Sequence, residues 1–436
     1  MTLSWMTQLL TQIGADAGAM QVDQVHALLR SLARPVAETE SLPLHQALGR
    51  VLAADVLSPV DVPPHDNAAM DGYAFASQWL ATAEQLALPI AGTVLAGQPW
   101  AGDVPAGHAL RIMTGAMLPP WLDTVVPFEL CQLEDPADAA VPTVRFARTG
   151  LRPGANRRQC GEELATGATA LPAGTRMGPA ELGLAAGLGL AQLTVRRRLR
   201  VALFSTGDEL LQPGEAARTG AIYDSNRFAL AAALQQLGCT VHDLGAVRDE
   251  PAALRAALQH AVQDADVILT SGGVSSGDAD HTQTLLAELG DVAFLRIAMR
   301  PGRPLAVGRM HRADGRSSAL LLGLPGNPVA ALLSFALLAR PALLQAMGMD
   351  AERATPALVQ VPLAVPQRKR AGRTEFVRAT LHTNSQGRIE ARPTGSQSSA
   401  MLSSLVQADA LLLLDHHQGD LAAATLVNAL PLHGLL

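Results

Sequence analysis

The chain has 436 residues, of which 48% are hydrophobic and 3% aromatic, and its net charge is −6 at pH 7. This length exceeds that of one ordinary domain and predicts about two to four domains. The mild acidic charge argues against a nucleic-acid-binding protein, because such proteins usually carry a basic excess with aromatic residues between the cations.

The cysteines and the apolar runs indicate a cellular compartment. Cys131, Cys160 and Cys239 lie far apart, which is typical of a reducing compartment and argues against a disulfide framework or a thiolate zinc site. The N-terminus lacks the pattern of a signal peptide. The most apolar run, 329–339, is too short to cross a bilayer and predicts a buried helix. We therefore expect a cytoplasmic protein with no membrane partner.

The first half of the chain predicts few helices and many short strands. Apolar residues at helical spacing predict an amphipathic helix over 22–32, and a second, short helix is expected over 41–48. From residue 55 onward, short apolar runs separated by Gly, Pro and Asp are typical of a β-rich domain. A helix over 179–188 follows, with Pro179 in its first turn.

After residue 198 the pattern changes to strands alternating with helices. Strands are predicted over 199–204, 240–246, 267–269 and 319–322, and helices over 226–237, 250–263 and 328–338. Fully apolar strands in this alternation predict a parallel sheet covered on both faces. After residue 349, short β runs return.

These patterns predict a multidomain α/β plus β fold. A central doubly wound α/β domain (196–350) would be flanked by an elongated β-rich N-terminal region and a small C-terminal β domain (351–436). Within the N-terminal region, 1–54 together with 147–195 would form a mixed α/β linker domain, and 55–146 a β-rich domain.

Three strand ends of the central domain carry small, polar, turn-forming residues, and ligands of open α/β sheets bind at such ends. In VILTSGGVSSGDAD (267–280), a Gly-Gly turn would let backbone N–H groups approach an anion, and the aspartates beside it would suit a bridging Mg²⁺. Taken alone, this turn is better explained as a chain reversal with helix caps. Two further loops of similar character, FSTGDEL (204–210) and GLPGNPVAAL (323–332), favour a phosphate site.

The hairpin RIAMRPGRPLAVG (296–308) carries Arg296, Arg300 and Arg303, whose guanidinium groups suit an oxyanion. A surface hairpin with solvated arginines is the alternative. DNAAMDGYAF (66–75) and RIMTGAMLP (111–119) are better explained as plain β-turns on physical grounds alone. For RRQCGEEL (157–164) and GSQSSAML (395–402), spacing alone indicates little.

Together these segments resemble the MoeA family of molybdopterin molybdenumtransferases, which includes the E domain of gephyrin. The central domain also resembles the single-domain molybdopterin adenylyltransferases. The resemblance rests on ordered motifs between about residues 66 and 402, namely MDGYA, MTGAMLP, DTVVPFE, CGEE, STGDEL, IYDSNR, TSGGVSSGDAD, PGRPLAVG, GLPGNPV, GRTEFVR and GSQSSAML.

The resemblance implies a homodimer that takes adenylated molybdopterin and molybdate, hydrolyses the adenylate with Mg²⁺, and leaves molybdenum on the dithiolene. In this family the site lies between the central domain of one subunit and the N-terminal β region of the other, so the 55–146 domain would contribute to the partner's active site. A molybdopterin adenylyltransferase is the implied upstream partner.

Carried over motif by motif, the resemblance implies three sets of site residues. The catalytic set is Asp71, Thr114, Glu163, Glu209, Asp249 and Asp280. The metal ligands are Asp249, Asp278 and Asp280. The substrate-binding set is Thr206, Gly207, Asp208, Gly272, Gly273, Val274, Ser275, Arg296, Arg300, Arg303, Pro325, Gly326, Asn327, Ser396 and Ser398.

The chain departs from the family pattern at a few positions. Ala68 stands where the family commonly has Ser, Glu163 where it has Asp, and the hairpin has arginines where lysines are usual. A tungstate-preferring insertase, an adenylyltransferase and a non-catalytic molybdopterin-binding scaffold stay open as alternatives. Converging carboxylates favour an enzyme over a scaffold.

Overall fold

The structure is a computed structural model that describes residues 5–13, 18–134, 141–273, 285–286, 288–312, 314 and 317–436. The chain folds into two compact units. The larger unit comprises Met1–Ala53, Gly174–Gly178 and Gln192–Leu436, and the smaller unit comprises Ala54–Ala173 and Pro179–Ala191. The four predicted domain ranges stay predictions.

The elements of the described residues are as follows. The helices are α1 (Trp5–Gln12), α2 (Val22–Leu32), α3 (Pro179–Gly187), α4 (Ser225–Leu237), α5 (Pro251–Asp264), α6 (Pro328–Ser334), α7 (Arg340–Ala346), α8 (Ala351–Ala354) and α9 (Leu402–Val406), with a π-helical segment over Phe335–Ala339. The strands are β1 (Thr39–Pro43), β2 (Val56–Leu57), β3 (Asn67–Ala68), β4 (Gly72–Phe75), β5 (Gln85–Val94), β6 (Ala109–Ile112), β7 (Thr124–Pro127), β8 (Cys131–Glu134), β9 (Thr143–Ala147), β10 (Arg157–Arg158), β11 (Thr169–Leu171), β12 (Gln192–Arg196), β13 (Arg200–Thr206), β14 (Leu210–Leu211), β15 (Ile222–Tyr223), β16 (Thr240–Val247), β17 (Val267–Ser271), β18 (Gly290–Arg296), β19 (Met299–Arg300), β20 (Pro304–His311), β21 (Ser318–Leu324), β22 (Val359–Pro362), β23 (Thr374–Thr383), β24 (Ile389–Pro393), β25 (Ala410–Leu414) and β26 (Leu426–Pro431).

The central sheet of the larger unit has the strand order β16-β13-β17-β21-β20-β18. The first four strands are parallel, whereas β20 and β18 run antiparallel to their neighbours. The predicted α/β class is therefore confirmed, but the prediction of a fully parallel sheet is wrong at one edge. The connections 297–303 and 312–317 are too short for a parallel crossover, which needs about a dozen residues or more.

Two N-terminal predictions have different outcomes. The amphipathic helix is confirmed as α2, whose Val25, Leu28 and Leu29 are buried. The predicted helix over 41–48 is wrong over 41–43, because residues 39–43 form β1 and pair antiparallel with β12, whereas Leu44–Gln46 form one turn of 3-10 helix. The Ser41 hydroxyl donates a hydrogen bond to Gln192 Oε1 at 2.9 Å. Pairing with a distant strand thus overrides the local helical pattern.

The apolar run after the third strand-end loop forms continuous helical structure over Pro328–Ala346. By length and composition it is the one candidate membrane span among the described residues, but 83% of its most apolar window is buried inside the protein. Phe335, Leu338 and Leu343 belong to the main hydrophobic core. The prediction of a buried helix is confirmed.

The C-terminal sheet has the order β19-β23-β25-β26-β22, with β24 paired to β23. Its edge strand β19 comes from the arginine hairpin, and Arg300 pairs with Glu375 in a parallel ladder. The hairpin therefore joins the central sheet to the C-terminal sheet. This junction places Arg300 between the two sheets.

The smaller unit is built around a sheet with the order β7-β4-β6-β5-β9-β8. Short pairs β10-β3 and β11-β2 complete its β structure. The predicted β-rich region is confirmed. Strand β4 leads directly out of the Asp71-Gly72 turn, and Gly72 allows the close approach of β7, because a Cβ there would lie 2.0 Å from the Val126 carbonyl oxygen.

Candidate functional site

A cleft of about 1110 Å³ lies at the carboxyl ends of the parallel strands of the larger unit. Loops following β13, β17 and β21 form one wall, and the arginine hairpin and a C-terminal loop form the rest. The structure brings together in this cleft twelve of the predicted site residues: Thr206, Glu209, Asp249, Gly272, Gly273, Arg300, Arg303, Pro325, Gly326, Asn327, Ser396 and Ser398.

Three predicted binding residues of the larger unit do not line this cleft. Asp208 instead supports it from behind, because its Oδ1 accepts a hydrogen bond from the Asp249 backbone N–H at 3.3 Å. Gly207 makes room for the Glu209 carboxylate, which would lie 2.6 Å from a Cβ at that position. Arg296 ends β18 with an exposed side chain. Val274, Ser275, Asp278 and Asp280 lie outside the described residues.

The Gly272-Gly273 turn, which follows β17, packs directly on the loop that follows β13. Gly272 has a φ of +94°, and an ideal Cβ there would lie 2.5 Å from the Thr206 carbonyl oxygen. Gly273 has a φ of +67°, and its Cβ would lie 3.0 Å from Thr206 Oγ1. Both the backbone conformation and the close approach therefore require glycine.

Asn226, to which the sequence assigned no role, links the loop after β17 to the loop after β21 by hydrogen bonds. Its Nδ2 donates to Ser271 Oγ at 2.8 Å and to the Gly326 carbonyl oxygen at 2.7 Å. The residue is buried in the first turn of α4, behind the N-cap Asp224. The IYDSNR motif contains Asn226 two positions after this N-cap, but the motif by itself does not predict its bonds to the two loops.

The replacement of Asn226 by leucine is expected to destabilise the larger unit by about 1–3 kcal/mol, since it leaves the Gly326 carbonyl oxygen without its donor. The midpoint of the thermal unfolding transition measures the effect. Asn327→Ala is the matched control, because the exposed Asn327 side chain makes no capping hydrogen bond. Equal midpoints for the two variants would contradict the bridging role.

The loop after β21, together with the start of α6, offers fewer free backbone N–H donors than its sequence predicts. Pro328 has no N–H, and the Val329 N–H donates to the Ser399 carbonyl oxygen at 3.0 Å. The start of α6 is thus joined to the C-terminal loop. The N-terminus of α6 therefore shapes the wall of the cleft but offers few free backbone N–H groups to an anion.

Arg378, also missed from the sequence, lies behind the C-terminal serine loop. Its side chain is fully buried, and Nη2 donates to the carbonyl oxygens of Ser396 at 3.2 Å and Ser398 at 3.1 Å. Among the described residues, its Nε and Nη1 have no hydrogen-bond partner. Burial lowers the pKa of Arg378, and the nearby Arg300 cation lowers it further. Positive charge thus accumulates at this end of the cleft without a matching carboxylate.

The arginine hairpin is held against the buried helix. Gly302 has a φ of +100°, and a Cβ there would lie 2.5 Å from Ser334 Oγ. Arg300 and Arg303 on either side of this turn line the cleft, together with Arg373. Arg373 Nε donates to Glu375 Oε1 at 2.7 Å. The cations of the cleft therefore come from both sheets of the larger unit.

The smaller unit brings Asp71 and Thr114 into contact. Asp71 Oδ1 accepts hydrogen bonds from the backbone N–H and the hydroxyl of Thr114, each at 2.7 Å. These bonds lower the pKa of Asp71 and keep its carboxylate ionised. The third predicted residue of this unit, Glu163, is exposed, and its backbone N–H donates to the Val62 carbonyl oxygen.

Thr114→Val is expected to raise the pKa of Asp71 toward its ordinary range, because one of the donors that stabilise the ionised form is removed. A carboxyl-carbon NMR titration of the full chain measures this shift, with Asp71→Asn used to assign the signal. Thr166→Val is the control, since Thr166 makes the equivalent pair of bonds to Asp61. An unchanged Asp71 titration in Thr114→Val would contradict the pairing.

Three described carboxylates, Asp224, Glu209 and Asp249, line the cleft. No group of three or more His, Cys, Asp or Glu residues among the described residues is placed to hold a metal ion. Asp224 is already paired with the buried Arg227 at 3.0 Å. Glu209 and Asp249 also line the cleft, and one or two carboxylates together with substrate phosphate oxygens are a set that suits Mg²⁺.

Comparison with known proteins covers nearly the whole chain. Three family models match: MoeA N-terminal region (domain I and II) over 20–189, "Probable molybdopterin binding domain" over 202–345, and MoeA C-terminal region (domain IV) over 360–432. A molybdopterin molybdenumtransferase of Haemophilus influenzae is 36% identical over 96% of this chain and 100% of its own length. Molybdopterin molybdenumtransferase 2 of Mycobacterium tuberculosis is 37% identical over 92% of this chain and 96% of its own.

Solved structures match the same length of chain. A crystal structure of the MoeA protein of Pyrococcus horikoshii, 29% identical, superposes with a TM-score of 0.71 and covers 95% of this chain and 99% of that one. The crystal structure of a molybdopterin biosynthesis MoeA protein from Pyrococcus horikoshii OT3, 24% identical, gives a TM-score of 0.78 and covers 95% of this chain and 100% of that one.

Proposed function

The chain belongs to the MoeA family of molybdopterin molybdenumtransferases, and we propose that it inserts molybdenum from molybdate into adenylated molybdopterin, with hydrolysis of the adenylate and release of AMP. The observation that carries this proposal is the composition of the cleft. One end offers a glycine turn and two carboxylates, and the other end offers three arginines, of which only Arg373 is paired with a carboxylate. A substrate with a phosphoanhydride and a separate oxyanion would fill both ends.

At the first end, the phosphates would lie on the Gly272-Gly273 turn. Because neither residue has a side chain, backbone N–H groups in the turn can approach an anion closely. Thr206 Oγ1 is buried beside this turn and has no hydrogen-bond partner among the described residues. Its hydroxyl is therefore available to a phosphate oxygen.

The same end would hold Mg²⁺ through Glu209 and Asp249. Asp278 and Asp280 stay predicted ligands that lie outside the described residues. Bound Mg²⁺ would neutralise negative charge on the phosphoanhydride. The hydrogen bond from the Asp249 backbone N–H to Asp208 holds the backbone of Asp249 against the loop after β13, and cleavage of a phosphoanhydride depends mainly on positioning and on charge neutralisation.

At the other end, Arg300, Arg303 and Arg373 would hold the molybdate dianion. The buried charge of Arg378 adds to their field through the loop of Ser396 and Ser398. In a partly buried site, an anion gains more from such charges than it would in water. The arginine fork also matches a tetrahedral oxyanion in two places at once.

The direct test incubates the purified protein with adenylated molybdopterin, Mg²⁺ and molybdate or tungstate. We expect release of AMP together with metal-loaded cofactor. Binding of the nucleotide without AMP release would replace the proposal with a scaffold function. Adenylation of molybdopterin from ATP would replace the proposal with an adenylyltransferase function. Faster turnover with tungstate than with molybdate would change the inserted metal from molybdenum to tungsten.

We also propose that the enzyme is a homodimer in which the Asp71–Thr114 pair of one subunit completes the partner's cleft. The support is that Asp71 is an exposed, ionised carboxylate held by two donors, although none of the described residues that line the cleft lies in its unit. Such a carboxylate suits a role at a site formed with another surface.

Co-expression of Asp71→Ala with Arg300→Ala tests the shared site. Each variant alone is expected to be inactive, whereas random pairing would restore about one quarter of wild-type activity, because mixed dimers contain one intact site. If each chain carries its own complete site, mixing restores nothing.

We further propose a cytoplasmic location, supported by the three cysteines, which are all free. A molybdopterin adenylyltransferase would then supply the adenylated substrate in the same compartment. Co-sedimentation of the two purified proteins tests that partnership.

A further inference from the structure

A second cavity, of about 840 Å³, opens on the C-terminal sheet of the larger unit. Arg300 and Arg373 line both this cavity and the main cleft, so the two spaces meet at this pair. We call it the arginine pocket. Its lining residues are Arg300, Arg368, Lys369, Arg370, Arg373, Glu375 and Asp420.

The arginine pocket has an excess of positive charge. Five of its residues are cationic and two are carboxylates. Glu375 is already paired with Arg373, with 2.7 Å between Oε1 and Nε. Asp420 Oδ1 accepts the backbone N–H of Lys369 at 2.8 Å. Glu375 therefore offsets Arg373, and even with the charge of Asp420 counted the five cations exceed the two carboxylates by three charges.

Lys369 builds the wall of the pocket and is not itself free to bind a ligand. Its ammonium is buried and donates to the carbonyl oxygens of Arg370 at 3.3 Å, Arg373 at 2.9 Å and Gln418 at 2.9 Å. These bonds use its three protons. They fix the backbone from which the two neighbouring arginines project.

Arg368 and Arg370, on either side of this anchor, are exposed. In the part of the chain that the structure describes, neither guanidinium has an ion-pair or hydrogen-bond partner. Exposed arginines without partners are common on protein surfaces. What distinguishes this pair is a fixed backbone and a continuous path, through Arg373 and Arg300, into the cleft.

We propose that the arginine pocket is a capture subsite for the tetrahedral oxyanion substrate. Arg368 and Arg370 attract the dianion from solution, and Arg373 and Arg300 pass it into the cleft. The inference rests on the proposed function for the identity of the oxyanion, molybdate. A field of one sign at the mouth of a cleft raises the rate of encounter, about 10-fold or more at low ionic strength, without changing the chemical step.

The test is the double variant Arg368→Gln/Arg370→Gln, assayed for AMP release over a range of molybdate concentrations. We expect KM for molybdate to rise roughly 10-fold at low salt and the difference to shrink near 0.5 M salt, because exposed charges are then screened. The value of kcat at saturating molybdate should stay unchanged. Both substitutions are at exposed positions, so folding should be unaffected.

Arg388→Gln/Arg392→Gln is the matched control, since it removes the same charge from exposed positions of the same sheet. Equal KM values for the two double variants, or a fall in kcat specific to the first, would overturn the proposal. A loss of binding to an adenylyltransferase with an unchanged KM for molybdate would also overturn it, in favour of a protein-docking surface.

Equilibrium dialysis with molybdate alone separates this inference from the proposed function. Weaker binding by the Arg368→Gln/Arg370→Gln variant than by the control supports the subsite even if the wild-type protein releases no AMP. Unchanged molybdate binding in both variants rejects the subsite even if turnover is normal.

Discussion

Gly272→Ala is expected to abolish detectable turnover and to destabilise the larger unit by about 2–4 kcal/mol. Two independent causes act at this position. A φ of +94° strains any residue with a Cβ, and that Cβ would lie 2.5 Å from the backbone carbonyl oxygen of Thr206. Because a backbone atom cannot rotate away, the Gly-Gly turn must move off the first loop. AMP release and the midpoint of thermal unfolding measure the two effects.

Gly326→Ala is the control for this substitution. Gly326 lines the same cleft, but its backbone does not require glycine, and the nearest atom to an added Cβ is Gly272 Cα at 3.8 Å. Its unfolding midpoint should therefore match that of the wild-type protein. A Gly272→Ala variant with wild-type stability and turnover would show that the two loops do not need to approach so closely.

The sequence predicts the elements of the central domain well because its strands are apolar along their length and alternate regularly with helices. Helix α4 ends at Gly238 with a φ of +100°, as a glycine C-cap predicts. The apolar strands and the polar residues at their ends likewise predict where the cleft lies. These features depend on local conformation and on burial, which the pattern of residue types records directly.

The failures share a different cause. The first residues of the predicted helix over 41–48 belong to strand β1 because of a partner, β12, that lies far away in the chain, and only Leu44–Gln46 form a 3-10 turn. The antiparallel edge of the central sheet depends on the lengths of two connections. Asn226 and Arg378 occur in recognised motifs, but their roles come from hydrogen bonds to backbone atoms of distant loops. Contacts of this kind leave no periodic pattern in the sequence.

Arg296 illustrates the limit of assigning three arginines as a group. The sequence predicts that Arg296, Arg300 and Arg303 together hold the phosphate and the molybdate. The structure places Arg300 on β19 and Arg303 beyond the Gly302 turn, both lining the cleft, whereas Arg296 ends β18 and does not line it. Arg373 and the buried Arg378, contributed by the C-terminal sheet, stand in its place.

Arg378→Met is the second substitution with a large expected effect. We expect turnover at limiting molybdate to fall roughly 10-fold, because the field of one buried, unpaired cation close to the bound anion is lost. The loop of Ser396 and Ser398 would lose both of its bonds to the guanidinium, and the field behind the oxyanion would lose one charge. The dependence of AMP release on molybdate concentration measures the change.

The effect of Arg378→Met on stability should be much smaller than its effect on turnover. The variant loses two hydrogen bonds to carbonyl oxygens, which is destabilising. It also removes a buried cation that has no carboxylate partner among the described residues, which offsets part of that loss. If the free energy of unfolding falls by as much as the free energy that corresponds to the lost turnover, Arg378 only holds the loop of Ser396 and Ser398 in place.

Arg378→Lys separates the charge of Arg378 from its geometry. A lysine keeps the positive charge but replaces the planar fork by a point charge, so it cannot hold two carbonyl oxygens in the same way. If the field is what matters, this variant should recover most of the molybdate affinity lost in Arg378→Met. If the position of the serine loop is what matters, the lysine variant should be as impaired as the methionine variant. Because Arg378 lies behind the loop of Ser396 and Ser398 and does not touch solvent, we expect the first outcome.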